Sequence, residues 1–144
     1  MMEISKKKFR ELLFQIIFSQ DFGGSLNITE VLSLLKQSMI TKKNLRQVCI
    51  KFNKILSKKI AVDTLIAKFS KSYDFNRISR VERNILRLGV FELLFDEDIP
   101  PKVAISESIR LSRKYGTHEG GAFVNAILDA IYLGEKSCVD QKSY

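Results

Sequence analysis

The chain has 144 residues, 45% of them hydrophobic, with 24 Lys/Arg against 16 Asp/Glu and a formal net charge of +8. That length suits one domain with a real core, and no apolar run approaches the ~20 residues that a membrane span needs. The charge is uneven: residues 1–60 hold 12 Lys/Arg and 4 Asp/Glu, whereas residues 61–144 hold 12 of each, an asymmetry that points to a polyanionic partner, nucleic acid ahead of a membrane surface, although solvated lysine also serves solubility.

Two prolines, seven glycines and no alternating strand-like stretch predict an all-α domain. The first helix runs from about Lys6 to Phe22 and stops at Gly23-Gly24. Its core face is Phe9, Leu12, Leu13, Ile16 and Ile17. Phe14, Phe18 and Phe22 repeat every fourth residue away from that face and share their flank with Lys7, Arg10 and Glu11. Asn27 and Glu30 have capping-box spacing and open a short helix to about Met39. Thr41 caps a basic helix from Lys42 to about Lys59. One face of it carries Leu45, Val48, Cys49, Phe52, Ile55 and Leu56, and the other Lys42, Lys43, Arg46, Lys51, Lys54 and Lys58.

A helix over about Val62–Ser70 follows. Ser79 and Glu82 then form a second capping box that opens SRVERNILRLGVFELLF. After Arg87 only Glu92 interrupts its apolar run, so this element is expected to be the central strut of the core. Gly89 in mid-helix costs about 1 kcal/mol against Ala, which implies that another helix passes close to its backbone. DEDIPPKV ends the strut, because Pro disfavours a helical residue before it and suits the first turn of the next helix. That next helix spans Pro101–Tyr115, with Ala104, Ile105, Ser108, Ile109, Leu111 and Ser112 on one arc and Gly116 as its C-cap. The last helix, about Gly121–Leu133, buries Phe123, Val124, Ile127, Leu128 and Ile131. Residues 1–134 read as one domain and 135–144 as a polar tail.

The residues that chemistry would need are sparse. His118, the only histidine, is expected in a turn, where it reads as a loop residue rather than a catalyst. Cys49 and Cys138 stand far apart, fit a reducing compartment and make no zinc constellation. No P-loop or dinucleotide fingerprint occurs. The N-terminus carries Glu and Gln where a signal peptide would be purely apolar. The chain therefore reads as a soluble, cytoplasmic protein without enzymatic activity, metal or cofactor.

RVERNILRLGVFELLFDEDIPPKVAISESIRLSRKYG followed by FVNAILDAI resembles the C-terminal half of the bacterial transcription antitermination factor NusB family. KKKFRELLFQIIFSQ is similar to that family's basic opening helix. The resemblance implies a compact seven-helix fold made of two packed helical subbundles. It implies binding to the boxA segment of single-stranded nascent RNA, jointly with the small-subunit ribosomal protein NusE. The pair would load onto RNA polymerase and suppress termination in ribosomal RNA operons. Carried over by position, Lys6, Lys7, Lys8 and Arg10 match the basic start that contacts RNA. Phe18 matches an aromatic position near the RNA, and Lys102 and Phe123 match positions along its path. Glu82 matches an acidic position that pairs with NusE. Ala122 stands where the family usually has Lys, and Gly120-Gly121 replaces a more polar turn.

Each of these has a plainer reading beside it. The Lys/Arg cluster could be a solvated helix start, Phe14 and Phe22 are expected buried against another helix, Phe18 and Phe123 could be core, and Glu82 completes a capping box. The basic face of the Lys42–Lys59 helix could be a solubility device or a second phosphate track, and reads as the former. Two rival readings of the whole chain are an RNA-binding domain related to ribosomal RNA cytosine methyltransferases and a structural helical homodimer.

Overall fold

A computed structural model describes residues 4–23, 41–70 and 75–135. Among them are six α-helices, one 3-10 turn and no strand, so the described part of the protein is all-helical. The helix expected over Asn27–Met39, the Phe22 side chain, Cys138 and the tail from residue 136 lie outside the described residues. The chain divides into two compact units, Met1–Ser57 and Lys58–Tyr144.

In the first unit α1 (Lys6–Gly23) packs against α2 (Lys42–Ser57). The Ser5 hydroxyl accepts the Lys8 N–H at 3.1 Å and the Thr41 hydroxyl accepts the Asn44 N–H at 3.1 Å. Both hydroxyls thus satisfy an orphan donor of a first turn. Leu12, Leu13, Ile16, Ile17 and Phe14 are buried as expected, whereas Phe9 is only half-buried; Arg10 and Glu11, on the flank turned away from the core face, are buried too. Burial nearly all round from Arg10 to Phe14 means that α1 is covered on more than one side. On α2, Leu45, Val48, Phe52 and Ile55 are buried, whereas Leu56 is 39% exposed, and the helix ends at Ser57 rather than Lys59.

The second unit is arranged around α4 (Arg80–Phe95), which is contacted by α3 (Lys59–Phe69), α5 (Pro101–Tyr115) and α6 (His118–Gly134). Every residue of α4 from Asn84 to Leu94 is buried, so the strut expected from its all-round apolar character forms. Ile85, Leu86, Leu88, Val90, Phe91, Leu93 and Leu94 each bring about 1.5–3 kcal/mol of transfer free energy on burial. That sum offsets the desolvation of the two charged residues buried with them, Arg87 and Glu92.

Arg87 is not left alone. Its Nε and Nη2 donate to the two carboxylate oxygens of Asp63 on α3 at 2.8 and 2.9 Å, and Nη1 donates to Asn84 Oδ1 at 3.0 Å. The bidentate pair ties α3 to α4 and keeps a charge inside that would otherwise be prohibitive. The close approach expected at Gly89 is also present. A Cβ there would collide with Ser108 Oγ of α5 and lie 3.3 Å from Leu128 Cδ1 of α6. Two helices therefore use the missing side chain.

α5 begins at Pro101 and ends at Tyr115, as the Pro-Pro and Gly116 signals require. α6 begins three residues earlier than expected. Thr117 caps it, its hydroxyl accepting the Gly120 N–H at 3.0 Å, so His118, Glu119 and Gly120 are the first turn of a helix and not a connecting turn. Glu119 then complements the positive end of that helix.

Candidate nucleic-acid interface

In the first unit, α1 starts with three consecutive lysines. Lys6, Lys7 and Lys8 are all exposed, and the first turn contains no acid. Cations at a helix N-terminus are placed against the helix dipole, which by itself is mildly unfavourable for the helix. Three ammonium groups within one exposed turn make a surface whose charge suits an external polyanion. Arg10 departs from this group: it is 5% exposed and lies beside Glu11 at 6%. Of the four basic positions, the three lysines form the presented cluster.

Two turns on, Phe18 is half-buried, with its ring 5.9 Å from that of the buried Phe14 at an interplanar angle of 41°. The contact holds the Phe18 ring from one side while part of it faces out, the condition for stacking on a base.

In the second unit, Lys102 is exposed at the second position of α5, and Phe123 is half-buried in α6. The sequence reading had Phe123 in the core with Val124 and Ile127. The structure buries those two but leaves part of Phe123 outside. Lys102 stands ~20 Å along α5 from the Gly116-Thr117 turn that starts α6, whereas Phe123 lies near that turn. The two mark separate places on the α5–α6 pair.

Close to Phe123, α5 and α6 enclose an open pocket of about 150 Å³ lined by Ile109, Arg113, His118, Gly121, Ala122 and Asn125. Ala122 carries no charge, but Arg113 and His118 bring donors to the same pocket, and Asn125 brings an amide. The sequence reading did not single out Arg113 or Asn125. The available signals were the basic last turn of α5, where Arg113 and Lys114 follow each other, and the short connection that folds this turn onto the start of α6.

Glu82 is the remaining position. Ser79 Oγ accepts its backbone N–H at 3.2 Å, so half of the expected capping box forms. The carboxylate does not turn back to Ser79. It lies over the first turn of α6, in the space a Cβ at Gly120 would need, where the helix dipole favours a negative charge. Gly120-Gly121 is thus part of a packing contact, and both glycines are buried. Glu82 itself is half-buried. Among the described residues no group of three or more His, Cys, Asp or Glu could hold a metal ion, and no helix is long and apolar enough to cross a membrane.

Comparison with known proteins places this arrangement. The NusB family model matches residues 7–133. The transcription antitermination protein NusB of Lachnoclostridium phytofermentans is 35% identical over 127 residues, covering 87% of this chain and 96% of the relative. That of Syntrophomonas wolfei is 36% identical over 134 residues, covering 93% and 99%. Among solved structures, T. maritima NusB superposes with a TM-score of 0.82 at 30% identity, over 98% of both chains. A chain from the complex of antitermination factors NusB and NusE with double-stranded RNA gives a TM-score of 0.78 at 27% identity, over 90% of this chain and 96% of that one.

Proposed function

The chain belongs to the NusB family, and on that premise we propose that it is a transcription antitermination factor that binds boxA RNA together with ribosomal protein NusE. Carrying both to RNA polymerase in the cytoplasm, it supports transcription of ribosomal RNA operons. It works as an adaptor with residues 1–134 as its RNA-binding domain, not as an enzyme. The observation that carries the RNA half of this reading is the acid-free start of α1, where Lys6, Lys7 and Lys8 are all exposed. The lysines meet phosphates as point charges, and Phe18 and Phe123 offer ring faces to unpaired bases. Arg113 stands in for the cation absent at Ala122, with His118 beside it as a hydrogen-bonding group, and Lys102 adds a further phosphate contact. Arg10, held inside beside Glu11, contributes through the placement of its neighbours.

The protein half rests on Glu82. Its carboxylate is half-buried at the start of α6, and the exposed part is available to a cation of NusE. Linking RNA and NusE through one chain raises the effective concentration of each for the other. Curated relatives matched along nearly their whole length are antitermination proteins, which favours this reading over a methyltransferase domain. The test is RNA binding across a salt series. Counterion release predicts a log–log slope of about −0.7 per phosphate contact for a single strand. A flat salt response, or equal binding of boxA and scrambled RNA, would overturn the reading.

A further inference from the structure

The α1 cluster does not absorb all of the basic surface of the first unit. The segment from Lys42 to Lys59 holds seven Lys/Arg and no Asp or Glu. On α2, Lys42, Lys43, Arg46, Gln47, Asn53 and Lys54 are exposed. At 100° per residue they share one arc of about 140°, opposite the buried Leu45, Val48, Phe52 and Ile55. Among the described residues, Lys42, Arg46 and Lys54 have no ion-pair partner.

Solubility alone accounts poorly for this face, since a solubilising helix surface usually intersperses both signs and gains from i,i+4 pairs. α2, like α1, has no acid in its first turn. In the second unit α4 and α6 place Glu82 and Glu119 there, while α3 and α5 have none. Both described helices of the first unit carry cations against their own dipoles. At the centre of the α2 arc Ile50 is 56% exposed, an apolar spot between Arg46 and Lys54 that a ribose or base edge can cover.

One contact links α2 to the start of α1. Lys51, at the edge of the arc, has its Nζ 6.0 Å from the centre of the Phe9 ring, and Phe9 directly follows Lys8. From Lys42 to Lys54 the helix advances ~18 Å, so its cations extend the basic surface well beyond one turn of α1.

We propose that the exposed face of α2, through Lys42, Arg46 and Lys54, is a second phosphate track that holds RNA backbone beyond the segment gripped by α1. This rests on the RNA-binding function proposed above and extends the length of RNA engaged. A track that reads only phosphates adds affinity without adding sequence preference, and its effect depends on RNA length.

The experiment compares wild type, a Lys42→Gln/Arg46→Gln/Lys54→Gln variant and a Lys6→Glu/Lys8→Glu variant. Each is titrated with single-stranded boxA RNAs of about 12 and about 30 nucleotides over a salt series. The α2 variant should bind the shorter RNA within about twofold of wild type. It should bind the longer one at least about tenfold more weakly at low salt, with a log–log slope shallower by about 2, at roughly 0.7 for each of three lost contacts. An unchanged thermal midpoint shows that the variant is folded. Wild-type affinity and slope on both RNAs would overturn the inference, and so would equal losses on both lengths. If wild type binds neither RNA, the proposed function itself fails. If the α1 variant loses both RNAs while the α2 variant loses neither, that function stands without this track.

Discussion

The Glu82 carboxylate occupies the space that a Cβ on Gly120 would fill, so a side chain on α4 and a missing side chain on α6 are two halves of one contact. A methyl group at residue 120 would also come within 3.1 Å of Glu82 Cδ and 3.2 Å of the capping Thr117 Oγ1. Because the nearest atom is the far end of a flexible side chain, Gly120→Ala should displace Glu82 at modest cost, about 1 kcal/mol or less. In a Glu82→Ala background the same change should be neutral or stabilising, since Ala is the better helix former. A double-mutant cycle by urea denaturation should therefore return a coupling of at least ~0.5 kcal/mol. Additive effects would mean that the two residues do not compete for space. Because Gly120→Ala pushes Glu82 outward while leaving the lysine cluster intact, it should alter binding of NusE without altering RNA binding in its absence.

Gly89 presents the opposite case. Ser108 Oγ, the atom in the way, is buried and donates to Ala104 O at 2.8 Å, so it has little room to move. Gly89→Ala should destabilise by about 1–3 kcal/mol through overpacking, even though Ala is the better helix former. Adding Ser108→Ala removes the obstructing oxygen and should recover part of the loss. The denaturation midpoint of the three variants checks this. A Gly89→Ala protein as stable as wild type would contradict the packing described.

Asp63 and Arg87 supply the third prediction. Their side chains are 22% and 7% exposed, so Asp63→Ala strips two charge-assisted bonds from a guanidinium that water hardly reaches. The expected loss is about 2–4 kcal/mol, below the range for fully buried pairs because Asp63 is partly wet. Arg87→Lys should also destabilise, since an ammonium cannot reproduce the two-pronged geometry. Midpoints in urea with an unchanged m-value would isolate the stability effect. A loss under ~0.5 kcal/mol for Asp63→Ala would show that the pair does not hold α3 to α4.

For the lysine cluster, stability and binding should move in opposite directions. Lys6→Glu with Lys8→Glu places acids at the positive end of α1, and Lys8→Glu also completes a capping box with Ser5. The thermal midpoint should stay level or rise slightly, while RNA affinity at low salt falls by at least about tenfold. A lowered midpoint would mark the lysines as structural.

Much of this architecture could be read from local signals. Ser79, Thr41 and the Pro100-Pro101 pair set the starts of α4, α2 and α5 because capping and proline geometry act within a few residues. The burial of α4 followed from its composition alone. The start of α6 was misplaced because two adjacent glycines suggest a turn, whereas the Thr117 cap and Glu119 were enough to carry the helix through them. Arg10 and Glu11 were assigned to an outer flank because a single periodicity describes one buried stripe, and α1 is covered on more than one side. Asp63 and Arg87 are 24 residues apart, and no local pattern announces such a pair. Among the candidate site residues, the lysines at the start of α1 were legible as a charge run. The pocket of Arg113, His118 and Asn125 was not, since it exists only once α5 and α6 fold against each other.

The central claim is that one chain holds RNA and NusE together. The most direct measurement is the affinity of the protein for boxA RNA with and without saturating NusE, repeated with Glu82→Lys. The account predicts that NusE tightens RNA binding by wild type, and that Glu82→Lys abolishes this gain while keeping the affinity of the protein alone. Unchanged RNA affinity on adding NusE to wild type would contradict it.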